Sequence, residues 1–129
     1  MIALDTNILL RFITEDDAAQ ASAAQKLLNR KGETFFVGNI VLVETVWTLL
    51  RVYRFSREEV AIVLNDFLDR GDVSFENGEV VHHAVRAFEK GGDIADHLIL
   101  ETARNRGCSH LATFDDDLTN RFQDFALKP

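Results

Sequence analysis

Several things are scarce or missing in this chain, and each absence removes a class of protein. Cysteine occurs once, at Cys108. No intramolecular disulfide can form, which agrees with a reducing compartment, and the lone thiol reads as a small, partly buried hydrophobe. Proline occurs once, at Pro129, and no Gly/Ser-rich linker or internal repeat interrupts the pattern, so residues 1–129 read as one domain. No apolar run approaches the length of a membrane span, and Asp5 would break the apolar core of a signal peptide. A soluble, untargeted, cytoplasmic protein with no membrane partner is expected. Positive charge is also short: 14 Lys and Arg face 21 Asp and Glu, a net charge of −7. That argues against a passive nucleic-acid binder, which usually carries a basic surface. It permits an enzyme whose acids gather at a metal, because a cation reverses the local field.

Known chemical motifs are missing as well. There is no Gly-rich phosphate loop and no Gly-x-Ser-x-Gly elbow. His82 and His83 are adjacent rather than four apart, and His97 and His110 have no metal-type spacing, so a zinc hydrolase is not indicated.

What is present is 47% hydrophobic residues arranged in alternation, enough for a sizeable core at this length. Ile2, Ala3 and Leu4 read as a buried strand of a parallel sheet, with Thr6 and Asn7 in the turn that opens a helix. An Ala-rich helix follows over 15–30, ended by Gly32, and then a short strand over 34–37. Asn39 reads as the cap of a strongly apolar helix from Ile40 to about Tyr53. Ser56 opens another, with Glu58 and Glu59 in its first turn, ending near Gly71. A strand at 73–75, a helix over 79–90 stopped by Gly91 and Gly92, and a helix from Asp93 through Arg106 come next. A strand at 110–113, a short helix at Asp115, Asp116 and Asp117, and an edge strand at 125–127 complete the chain. Helices alternating with short strands imply an α/β fold around a central, largely parallel sheet.

The acids carry the chemistry. Asp5 stands at the carboxyl end of the first strand, where open α/β sheets bind ligands; capping the next helix is the competing role. Glu44 is the only acid of an apolar helix. Either it has a buried partner, or it lies on a solvent face with Thr45, Thr48 and Arg51. Asp96 sits in the first turn of its helix, where negative charge is favourable, and Asp93 is available as the cap. Asp115 repeats the placement of Asp5, while Asp116 and Asp117 read as first-turn residues facing water. If the first strand is central, these acids converge at one sheet edge. Their mutual repulsion then calls for a divalent cation, and oxygen-only ligands suit magnesium or manganese. Such ions activate water and stabilise the leaving oxygen of a phosphodiester.

Four stretches together resemble the PIN-domain nucleases, in particular the VapC-type toxins of toxin–antitoxin pairs. They are Leu4-Asp5-Thr6-Asn7, Val43-Glu44-Thr45, Ile94-Ala95-Asp96 followed by Leu98-Ile99, and Leu111-Ala112-Thr113-Phe114-Asp115. The resemblance covers nearly the whole chain and implies a three-layer fold with a short, mostly parallel sheet flanked by helices. It implies that Asp5, Glu44, Asp96 and Asp115 form a catalytic, metal-binding quartet for Mg2+ or Mn2+, supported by Thr6, Asn7 and Thr113. Asp93 competes with Asp96 for the third position, and Asp117 competes with or supplements Asp115. It also implies an endoribonuclease that cuts RNA with metal-activated water and no covalent intermediate. Its expected partners are an antitoxin protein and a second copy of itself in a homodimer. Arg11, Arg51, Arg54 and Arg57 are candidates for RNA contact, though exposed arginines are ordinary helix surface.

Two other readings compete. An aspartate-based phosphatase wants a second acid two residues after Asp5, where Asn7 stands, and a lysine after a late strand. Lys26, Lys31, Lys90 and Lys128 are not so placed. The other is an inert PIN-like module that binds a partner without cutting RNA.

Overall fold

Three apolar stretches too short to be helices, Ile2–Ala3 (β1), Phe35–Val37 (β2) and Val73–Phe75 (β3), pair in parallel in the computed structural model, which describes residues 1–129. Ile2 lies opposite Phe35, and Phe36 opposite Ser74. Parallel neighbours need crossovers. The first is α1 (Thr6–Thr14) with α2 (Ala18–Leu28); the second is α3 (Asn39–Arg51) with α4 (Arg57–Asp69). Then follow α5 (Gly78–Glu89), α6 (Ile94–Asn105), β4 (Leu111–Ala112), α7 (Asp116–Arg121) and β5 (Ala126–Leu127). The α/β architecture with a parallel sheet flanked by helices is the expected one.

The first strand is not central. The sheet order is β1-β2-β3, so β2 is the middle strand, and β4 pairs in parallel with β5 in a separate two-stranded sheet. The cause is local. One further bond, from the Leu4 N–H to the Phe36 carbonyl at 2.8 Å, extends the pairing before Asp5 turns the chain into α1. The expected edge strand at the C-terminus is present, but as the partner of β4.

Helix ends follow side-chain chemistry, with two departures from expectation. Ser56 and Glu59 form a reciprocal capping box on α4, and Asp17 caps α2, so the Ala-rich helix starts later than expected. Glu15, in the left-handed region at φ 56°, separates it from α1. Asn39 is the first residue of α3 and not its cap; Gly38 holds that position without a side-chain bond. The orphan Asn39 N–H is satisfied instead by the carboxylate of Glu76, at 2.9 Å, from beyond β3.

Apolar burial divides into two bodies. The main core lies between the three-stranded sheet and its helices and includes Phe35, Val46, Leu49, Val81, Phe88 and Ile94. A second, small core joins Leu100, Leu118, Phe125 and Ala126. Helix α6 stands between them, giving Ile94 and Leu98 to the first and Leu100 to the second. His97 is only 2% exposed and meets Phe122 edge-on, ring centres 5.5 Å apart. Burial, then Arg121, push its imidazole pKa down, favouring the neutral ring. The α5–α6 turn is clamped by Arg57, which donates to the carbonyls of Phe88 (2.8 Å) and Gly92 (2.7 Å) and stacks on the Phe88 ring. Cys108, expected to be partly buried, is exposed just past the Gly107 turn that ends α6.

Two expectations follow. A Cβ on Gly92 would overlap the buried His97 ring and stand 3.0 Å from the Ala87 carbonyl. Gly92→Ala should therefore cost about 1–3 kcal/mol in urea unfolding, the usual range for overpacking. Separately, the Tyr53 hydroxyl donates to Asp16 and accepts from Arg11. The Tyr53 bond, then that of Thr14, holds the Asp16 carboxyl below its usual range. A depressed carboxyl stabilises the fold above its unfolded pKa, about 3.9, and that contribution is lost as pH falls through the folded value. In Tyr53→Phe, the NMR titration of Asp16 should move up towards the ordinary value.

Candidate functional site

Asp5 follows β1 after Leu4 and caps α1. Its backbone is extended and its carboxylate accepts the Thr6 N–H at 2.7 Å. The side chain of the buried Thr6 points the other way and donates to Glu44 Oε1 at 3.1 Å. One residue thus ties two carboxylates together, Asp5 through its backbone and Glu44 through its hydroxyl. Asn7 is exposed in the first turn of α1.

Glu44 does not lie on a helix buried nearly all round. It is exposed, on a side of α3 that also carries Ile40, 76% exposed, and Trp47, 38% exposed. Nor does it share a solvent face with Thr45, which is buried and donates back to the Val41 carbonyl at 2.7 Å. The helix buries only the side of Leu42, Thr45, Val46 and Leu49. Its other side borders an open groove of about 600 Å3 against α6, lined by Val43, Glu44, Trp47, Leu98 and Ile99 among others.

The third and fourth acids approach from α6 and α7. Asp93 caps α6 and accepts the Asp96 N–H at 3.0 Å. Asp115 caps α7, accepting the N–H groups of Asp117 (2.8 Å) and Leu118 (3.2 Å). Its own N–H donates to Thr113 Oγ1 at 3.0 Å, so Thr113 fixes the turn that carries it. Asp117 is paired with Arg121 at 2.9 Å. Asp96 differs from all of these: it is half-buried, as Asp115 is, but its carboxylate has neither an ion pair nor a hydrogen bond. Burial first, then the charges of Asp93 and Asp115, with Asp117 adding and His97 opposing, push its carboxyl pKa up.

The structure therefore joins Asp5 to Glu44 and gathers Asp96 with Asp93, Asp115 and Asp117. No three His, Cys, Asp or Glu side chains stand close enough to share a metal ion. In chemistry the donors suit a hard cation, since all are carboxylate oxygens and the unpaired, half-buried Asp96 lies among like charges.

The candidate arginines differ in availability. Arg11 is held by Gln20, Asp16 and Tyr53, and Arg57 by the α5–α6 turn. Arg51 lies over the Trp47 ring at 5.2 Å, and Arg54 is exposed with a left-handed backbone, φ 57°. Sequence reasoning passed over the apolar residues around the acids. Ile40 and Trp47 share the helical face of Glu44 but were read as part of a strongly apolar helix, and Phe114, which adjoins Asp115, was given no role of its own.

Two comparisons bear on this arrangement. The PIN domain family matches residues 2–123. A VapC ribonuclease of Aquifex aeolicus (strain VF5) is 27% identical over 131 residues, covering 99% of this chain and 94% of that protein. No solved structure matches the chain.

Because the Asp96 carboxyl is raised, its charge opposes folding above its folded pKa. Asp96→Asn should therefore raise the Tm at pH 7 in EDTA. A lower Tm would mean that Asp96 has a stabilising partner.

Proposed function

The chain belongs to the PIN-domain family, and from that membership we propose that it is a magnesium- or manganese-dependent endoribonuclease, the toxin of a toxin–antitoxin pair acting in the cytoplasm. The similar protein is a VapC ribonuclease, and the likeness extends over both chains. One observation carries the reading: Asp96 is half-buried and unpaired among Asp93, Asp115 and Asp117. Such a charge is costly unless something positive meets it.

On this reading Asp5 and Asp96 would hold the principal ion, and Glu44 and Asp115 would complete the set and orient the attacking water. When bound, the ion supplies Lewis acidity to the water and to the phosphodiester oxygens. The protein's own part is positioning. Thr6 fixes Asp5 and Glu44 relative to each other, and Thr113 fixes the turn before Asp115. The amides at the start of α7 hold Asp115 in one orientation, which spares the site that ordering at the moment of reaction. The Asp96 carboxylate has no partner, unlike that of Asp93, and Asp115 has no ion pair, unlike Asp117, which favours Asp96 and Asp115 as the working acids. Water attacks directly, with no nucleophilic side chain. The partners on this reading are RNA, an antitoxin protein and a second copy of the chain.

A second reading has its own observation. The absence of a three-carboxylate group favours a PIN-like module that binds a partner without cutting.

One experiment separates them. The purified, antitoxin-free chain is incubated with a structured RNA and Mg2+ or Mn2+, then with EDTA, beside Asp5→Asn and Asp96→Asn. Asn remains a good cap, so Asp5→Asn should fold. The expected result is metal-dependent cutting, reduced at least about 100-fold in both variants, as for the loss of a group that organises transition-state charge. Folded wild-type protein that binds RNA but leaves several RNAs intact would favour the binding module.

A further inference from the structure

One side chain near the acids does nothing for the fold. Phe114 is 84% exposed and belongs to neither core. Leaving a whole aromatic ring in water forgoes a substantial burial gain. It is not on a loose loop. The preceding residue, Thr113, donates its N–H to the Leu127 carbonyl at 2.9 Å. The following residue, Asp115, donates its own to Thr113 Oγ1 at 3.0 Å and caps α7. The backbone is pinned on both sides, so the ring is presented from a fixed base and loses little freedom on meeting a partner.

Resting on the nuclease reading above, we propose that Phe114 is the stacking platform for an unpaired RNA base beside the acidic site.

The charge pattern limits which part of an RNA this surface can hold. A chain of net charge −7, with Asp116 and Asp117 exposed next to the ring, repels a phosphate backbone. Much of its positive charge is already engaged: Arg70 with Asp72, Arg86 with Glu89 and Arg121 with Asp117. Arg11 and Arg57 are held as described. With the usual electrostatic route weakened, the face of a base is the part of RNA this surface can still attract, and unpaired bases stack on aromatic rings irrespective of sequence. The geometry also says which base. From Leu111 to Asp115 the residues alternate between half-buried and exposed, as in an extended segment. Asp115 turns towards the molecule and Phe114 towards solvent, so the stacked base belongs to a nucleotide flanking the one whose phosphate reaches the acids. Phe114 is thus a positioning residue, not a catalytic one.

The test measures binding and cutting separately on the full chain. In EDTA, a mixed-sequence single-stranded oligoribonucleotide, and the same strand carrying abasic sites, are titrated by fluorescence anisotropy. Wild type, Phe114→Ala and Phe114→Trp are compared, with melting curves and light scattering as controls. Phe114→Ala should weaken binding of the intact strand about 5- to 100-fold, the range for one lost base–aromatic stack. Phe114→Trp should restore it, and the abasic strand should be insensitive to the substitution. In Mg2+ the Ala variant should show a raised KM with kcat little changed. Equal affinity of wild type and Phe114→Ala overturns the stacking proposal. So does an equal loss on both strands accompanied by a change in molar mass, which would make Phe114 a protein contact. A wild type that cuts while Phe114→Ala binds normally sinks stacking alone. One that binds in a Phe114-dependent way but never cuts sinks the nuclease reading alone. One that neither binds nor cuts sinks both.

Discussion

Carboxylates brought together repel, and the structure depends on how that repulsion is met. Asp5, Asp93 and Asp115 are each the cap of a helix, so the partial positive charge of helix N-termini and their unpaired amides meet these charges directly. The same residues that start α1, α6 and α7 therefore make up much of the acidic surface. Capping and a functional role, alternatives when each residue is read alone, are compatible here. A cap uses one or two lone pairs of a carboxylate and leaves others free. Asp96 is outside this arrangement: its backbone is held by Asp93, and its side chain is left to its like-charged neighbours.

The rest of the fold fixes where those helices begin. Helix α1 begins where β1 runs out of pairing after Leu4, and Thr6 ties that corner to α3. Helix α6 begins just beyond Gly92, where the carbonyl is gripped by Arg57 and a side chain would strike His97. Packing thus sets the positions of charged groups that take little part in the packing. The main core contains no acid.

Most of the element order was legible because the chain's punctuation is local. Short apolar runs ended by Asp, a Ser-x-x-Glu box at Ser56 and the Gly91-Gly92 break each act within a few residues. Three of the misread features depend on distant partners. Glu76 takes the cap expected of Asn39 from 37 positions away. The exposure of Glu44 depends on how closely α6 approaches α3, and an apolar periodicity says only which residues prefer burial. The edge position of β1 depends on β4 choosing β5. For the candidate site, the positions of Asp5, Asp96 and Asp115 at element ends were readable. The link from Asp5 through Thr6 to Glu44 was not, since nothing local relates two residues 38 apart.

The division of the apolar interior has a consequence for cooperativity. Only four residues form the core beneath β4, α7 and β5, against 18 in the main one. A segment secured by so little buried surface opens locally at a lower free energy than the body of a domain, as a separate foldon. Asp115 travels with that segment, whereas Asp5 and Glu44 stay with the body. Any ligand that binds acids from both parts stabilises the closed segment by mass action. Amide hydrogen exchange at the C-terminus would then report occupancy of the acidic surface.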